Sequence, residues 1–293
     1  MKQVVAAPAV APSATGLLQT VRPITGDDAH WQSGFSFAPN GCLPATIGNP
    51  QCDTDLTVSA EDLPAVVDFT PYLVIVSGHC TSLLSSSGSE LGARVRAAVE
   101  LEQGSQIENE LWRGDVAQAE SFPNLYLAGG SSVFENLTPS ADDAIPGMYA
   151  LSALQAGLAR CNGGARGMIH AARQTVTMWQ SMQLLRREGN AILDLYDNFV
   201  IAGAGYDGSD PDGDVDDTGG TQWAYATGIV DVRLSDVFSV PGLDQMAAAL
   251  DRGRNDFMWT AQRFAAAVWD GCCHVGARVN VCETCCDPDA LGS

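Results

Sequence analysis

The densest run of titratable side chains is Asp207-Gly208-Ser209-Asp210-Pro211-Asp212-Gly213-Asp214-Val215-Asp216-Asp217. Its chemistry would be calcium binding, because a hard cation takes carboxylate oxygens. An EF-hand loop carries glycine at position six, after acids at one, three and five. With Gly213 at six, Gly208 falls at one and Gly219 at twelve, where acids are needed. The loop fails that test. A solvated surface loop is the better reading, and a calcium site of another kind is the alternative. A second cluster is Cys272, Cys273 and His274, followed by Cys282-x-x-Cys285-Cys286. These are zinc-ligand types, but a closed tetrahedral site needs a second ligand pair on a knuckle. Residues 272–274 fall in a predicted strand, where neighbours point to opposite faces, so at most two of the three could meet one ion. Thiols outside a metal site are expected; zinc and disulfides are the alternatives. His170 precedes a predicted helix. No Gly-x-Ser-x-Gly, papain-like cysteine context, P-loop or dinucleotide fingerprint accompanies it. A core histidine is therefore expected. No catalytic, cofactor-binding or metal residue is assigned, and the reading is of a non-enzyme without a cofactor.

Charge excludes a class of partner. The 293 residues carry 35 acids against 15 basic residues, a net −20, so nucleic acid is repelled rather than bound. Lys2 is the only lysine, and the other basic residues are arginines. Arginine suits planar, bidentate contacts between proteins, although genomic GC bias would give the same composition. Nine cysteines, an odd number in a large chain, point to a reducing compartment with free or metal-bound thiols. Hydrophobic residues make up 46%, enough for a real core. No run of ~18 apolar residues is present, so no transmembrane helix is expected. Pro8 and Pro12 break any signal-peptide core, which points to a soluble, non-secreted chain.

The elements that would position these residues begin with a long helix over 87–115. Leu91, Val95, Ala98, Leu101, Ser105 and Trp112 recur near the 3.6 period, while Arg94, Arg96, Glu100, Glu102, Glu108 and Glu110 fall mostly off that stripe. Gly114 stops it. Residues 1–29 are small and proline-rich, an extended arm. Trp31, Phe35 and Phe37 alternate as a strand and return through Tyr72–Val76, with a turn-rich tip between. That hairpin is too open to bury its aromatics alone, so it must pack against something else, and mostly against another molecule. Residues 116–142 read as irregular. An α/β region follows: a helix over 144–160, a strand at 167–171, a helix over 174–187, and strands at 191–193 and 198–201. Residues 223–240 read as a strand pair and 243–250 as a short helix. Phe257–Trp269 and Cys272–Val281 read as a hairpin turning at Asp270-Gly271. The class is α+β.

Arm, long loop, long helix, inserted α/β region and closing strands, in that order, resemble the HK97-type major capsid protein of tailed bacteriophages. The residues that carry it are Arg94-Val95-Arg96-Ala97-Ala98-Val99-Glu100 leading to Glu110-Leu111-Trp112-Arg113-Gly114, which resemble the spine helix in phages of actinobacteria. Gly167–Ala171 with Val176-Thr177-Met178-Trp179, Asn198–Tyr206, Trp259–Phe264 and Val268–Gly271 resemble further strands and helices of that fold. The likeness covers residues 25–281 and lies in the order of diffuse motifs. It implies an N-terminal arm (1–29), an E-loop (30–76) and a P-domain with the spine helix (77–142). An A-domain (143–250) follows, then closing P-domain strands and tail (251–293). It also implies pentamers and hexamers in an icosahedral virion shell, assembled in the host cytoplasm with scaffolding, portal and decoration proteins. The shell encloses DNA without specific binding, and no membrane is involved. Encapsulin-like compartments, minor head proteins and an α/β enzyme or metal-binding protein of accidental likeness are the alternatives. Some members of the family join a lysine on this loop to a neighbour's asparagine. Residues 30–76 hold no lysine, so a non-covalent shell is expected.

Overall fold

The computed structural model describes residues 10–25, 29–39, 66–80, 88–129, 134–139, 143–215, 220–242, 250–251 and 256–281. The N-terminal part holds helix α1 (Leu17–Thr20), strand β1 (Ile24–Thr25), a 3-10 turn at Ala29–Ser33 and β2 (Phe35–Phe37). Strands β3 (Val67–Phe69) and β4 (Tyr72–Cys80) lead to α2 (Gly88–Arg113) and α3 (Asp115–Glu120). Next come β5 (Glu135–Asn136), β6 (Ile145–Pro146), α4 (Gly147–Cys161), β7 (Met168–Ala172), α5 (Arg173–Ser181), β8 (Arg186–Glu188), β9 (Ala191–Leu193) and β10 (Phe199–Gly203). The remaining strands are β11 (Thr221–Thr227), β12 (Asp231–Leu234), β13 (Phe238–Val240), β14 (Leu250–Asp251), β15 (Asp256–Val268) and β16 (His274–Asn280). The helix expected over 243–250 lies outside the described residues, except that Leu250 begins β14.

Helix α2 runs 26 residues, about 39 Å at ~1.5 Å per residue. It stops where Gly114 turns left-handed (φ 64°), as the pattern predicts. Its buried stripe is Val95, Val99, Ile107, Leu111 and Trp112. Ala98, Leu101 and Ser105, expected on the stripe, sit half-buried at its margin. Glu108 and Glu110, expected on the solvent side, are buried. Over the last two turns only Asn109 and Arg113 stay half-exposed and the rest are buried, so the 3.6 period fades there.

Strand β15 organises a six-stranded sheet. Along one edge it pairs antiparallel with β4, from Phe257↔Cys80 to Ala265↔Tyr72. Along the other it pairs in turn with β14, β13 and β12, and β1 joins β12 in parallel. An eight-stranded sheet runs β5-β16-β11-β7-β10-β9-β8, with β6 also on β16. The main core joins α2, the face of the first sheet that carries Tyr72, Val74 and Trp259, and the face of the second that carries Met168, Ile201 and Tyr225. Helices α4 and α5 cover the opposite face of the second sheet over Ile169, Val200, Ala224 and Val275.

Three expectations need correction. The hairpin at Asp270-Gly271 does not form. Gly271 does turn (φ 70°), but both edges of β15 are taken over most of its length, so the chain crosses to the other sheet and β16 pairs with β11. The strand pair over 223–240 is three strands shared between the two sheets. Helix α5 ends at Ser181, because Gln183 adopts φ 59° and Arg186–Glu188 then run as β8. The small hairpin β2–β3 also differs from expectation. Trp31 and Phe69 are buried within their own chain against Ala266 and Val268, so they do not wait for another molecule.

Some of the cysteines expected as thiols are paired instead. Cys161 and Cys273 form a disulfide, their Cα atoms 5.0 Å apart, which is within the usual range. Cys272 is disulfide-bonded too. No described helix is long and apolar enough to cross a membrane.

Candidate functional site

The residues singled out for chemistry do not converge. His170 lies in β7, fully buried. Its Nδ1 is 2.9 Å from the Tyr206 hydroxyl and its Nε2 is 3.1 Å from Thr227 Oγ1. Thr227 donates its own proton to the Gly228 carbonyl, so its oxygen must accept from Nε2–H. That places a proton on Nε2, and in the neutral ring Nδ1 accepts from Tyr206. Burial and then nearby His274 push the imidazole down to about 3.

The acidic loop divides into two parts. Asp207 forms an ion pair with Arg113 at the end of α2, and the Trp112 indole N–H donates to buried Ser209 Oγ at 3.0 Å. This half clasps the long helix, where a solvated loop was expected. In the other half, Asp210 Oδ1 accepts the N–H groups of Asp212 and Asp214, an Asx-type turn. Residues 216–217 lie outside the described residues. Cys272 and Cys273, being oxidised, offer no thiolate to a metal. Cys282, Cys285 and Cys286 lie outside the described residues. Among the described residues, no group of three or more His, Cys, Asp or Glu could hold a metal ion.

Glu108 is the polar centre of the molecule. Its Oε1 accepts the Leu17 N–H at 2.7 Å, and its Oε2 accepts the N–H groups of Ala204 (2.6 Å) and Gly205 (3.1 Å). One side chain therefore ties the N-terminal segment, the long helix and the exit of β10 together. Burial pulls its carboxyl above the usual range against the opposing effect of those N–H groups and of Arg173. Glu110 does similar work nearby, accepting the N–H groups of Val116 and Ala117 at the start of α3. In the sequence both read as ordinary helix-surface acids, and no spacing signal marks them.

The surface that most resembles a docking site is the face of the six-stranded sheet turned away from α2. Directly paired residues share a face, which places Leu73 beside Phe264, Gln262 between Ile75 and Phe238, Thr260 beside Val240, and Met258 beside His79. The far end of this face is covered by β2–β3, and the near end is bare. There Leu73 is 39% exposed, Ile75 53%, Val240 52% and Met258 56%. The signal in the sequence is the unbroken apolar run Tyr72–Val76. A strand with one face to solvent alternates, and this one does not. A second apolar prominence is the β9–β10 turn. Leu195 and Tyr196 stand out on a backbone held by buried Asp194, whose Oδ1 accepts the N–H groups of Tyr196 and Asn198.

No family model matches the chain, and no curated protein matches it. Solved structures do. The capsid of the native GTA particle aligns with a TM-score of 0.57 at 10% identity, over 96% of this chain and 94% of that one. A chain from Mycobacterium phage Adephagia aligns with a TM-score of 0.53 at 12% identity, over 92% and 89%. One from Mycobacterium phage Ogopogo aligns with a TM-score of 0.51 at 10% identity, over 95% and 97%. At such identities the likeness is one of fold. Over almost its whole length, this chain has the α+β fold of the GTA capsid chain and of these phage chains.

Proposed function

We propose that the chain is an HK97-type major capsid protein, a structural subunit that self-assembles into the pentamers and hexamers of an icosahedral phage head. The observation that carries this reading is the end-to-end fold likeness to the capsid of the GTA particle. The subunit's own surface supports it, because a tiling protein needs bare apolar faces at its edges, and the near end of the β4–β15 face is one. In this reading residues 1–29 are the arm, 30–76 the E-loop and 77–142 a P-domain with α2 as its spine. Residues 143–250 are the A-domain, and 251–293 the closing P-domain strands and tail. Scaffolding, portal and decoration proteins are its partners. The particle assembles in the host cytoplasm and persists as the virion. The charge of −20 suits a wall that contains DNA without holding it. The test is expression of the full chain, alone and with its scaffold, followed by electron microscopy. Closed particles of uniform diameter are expected. A chain that stays monomeric under both conditions overturns the reading.

A further inference from the structure

We propose that Cys161 and Cys273 form a redox-set lock, open while the shell is built in a reducing compartment and closed afterwards by exchange with a low-molecular-weight disulfide. The timing rests on the shell reading; the bond itself does not. The two residues sit at structurally chosen places. Cys161 is the last residue of α4, half-buried, and the turn after it runs through Gly163 and Gly164, both left-handed and with open space around them. Cys273 is 1% exposed and lies where the chain has crossed between the two sheets, one residue before β16 begins. Their Cα atoms are 5.0 Å apart, within the range that a disulfide spans.

Access orders the chemistry. Only Cys161 can be reached from solvent, so its thiolate attacks one sulfur of the external disulfide and expels the first small thiol. Cys273, as thiolate, then attacks the Cys161 sulfur of the mixed disulfide and expels the second. Two protein thiols are oxidised by two electrons, one external disulfide is reduced by two, and the two protons end on the two released thiols. The bond ties α4 to the strand it covers across 112 residues of sequence, so it restricts the unfolded chain far more than the folded one. A reducing cytoplasm keeps the lock open during assembly, and an oxidising exterior closes it.

The test is thiol trapping. The full chain is alkylated with N-ethylmaleimide inside expressing cells, and separately after purification and exposure to oxidised glutathione, and then mapped by mass spectrometry. In cells Cys161 should carry the alkyl group, and buried Cys273 should take it when the lysate is unfolded in denaturant with N-ethylmaleimide still present. After glutathione, a Cys161–Cys273 linked peptide should appear, and Tm should rise by roughly 10 °C over the reduced protein. Cys161→Ser should show no such rise, and Cys273→Ala should trap glutathione on Cys161. A bond already closed in the cell, or both thiols still alkylated after oxidation, overturns the proposal. Particles are scored separately by microscopy, so a bond that closes in a chain that builds no particle supports the lock and sinks only the shell reading.

Discussion

His170 shows how a single side chain can report on the fold. Its ring is held neutral by burial, and the Thr227 partner places its one proton on Nε2. The folded value, about 3, lies below the ordinary value of 6.5. Between those two values the unfolded chain binds a proton that the folded chain does not. Stability is therefore complete above pH 6.5 and falls as pH drops towards 3, by up to about 1.4 kcal/mol per pH unit. Urea midpoints measured from pH 7 to pH 4 should fall, and His170→Gln should flatten the slope; an unchanged slope would count against this assignment. The core role of His170 was legible from its apolar strand, Met168-Ile169-His170-Ala171. The role of Glu108 was not, because an acid on a helix looks the same whether water or three backbone N–H groups solvate it. The cysteines misled for a similar reason: composition suggests a compartment, and pairing depends on which residues the fold brings within reach.

At the scale of elements, the long helix was readable to within two residues at either end, because its stop is a local glycine. Elements whose limits are set by tertiary structure were not. The Asp270-Gly271 turn has hairpin chemistry, yet the edges of β15 are already occupied, and no local pattern records that. Helix α5 ends without glycine or proline, so the apolar pattern through Met182 and Leu185 carried the expectation too far. The joint between α2 and the exit of β10 is tighter than any sequence pattern reveals. A Cβ on Gly205 would collide with the backbone at Ser105 and Asn109 in α2. Neither backbone can yield, and a shift there would break the Glu108 bonds to Ala204 and Gly205. Gly205→Ala should cost about 3 kcal/mol or more, above the usual range for single substitutions. Denaturant unfolding measures this directly, and a loss below about 1 kcal/mol would mean that the contact is looser than described.

For the whole molecule, the question is what holds many copies together. The bare end of the six-stranded sheet gives the first answer. Ile75→Glu and Met258→Glu alter exposed side chains, so each monomer should keep its Tm within a few degrees, yet particle yield should fall at least tenfold, because a charge buried at an interface without a partner is costly. Normal particles from both variants would show that this face points to solvent in the shell. The second answer concerns covalent bonds. The isopeptide chemistry of related shells needs an amine nucleophile on the E-loop, and residues 30–76 contain Asp53, Asp55, Glu61 and Asp62 but no lysine. Lys2 is the only lysine, at the start of the arm, and arginine cannot substitute because its guanidinium stays protonated. Neighbouring subunits must then adhere through buried apolar area and Arg–carboxylate pairs. Each exposed pair is worth about 1 kcal/mol or less, so strength comes from repetition or from a separate decoration protein. The Cys161–Cys273 disulfide lies within a subunit and joins no neighbours, and reductant removes any disulfide. Mature particles boiled in SDS with reductant should therefore run as a single band near 30.8 kDa. A ladder of oligomers that survives reduction would require a cross-link from some nucleophile other than an E-loop lysine.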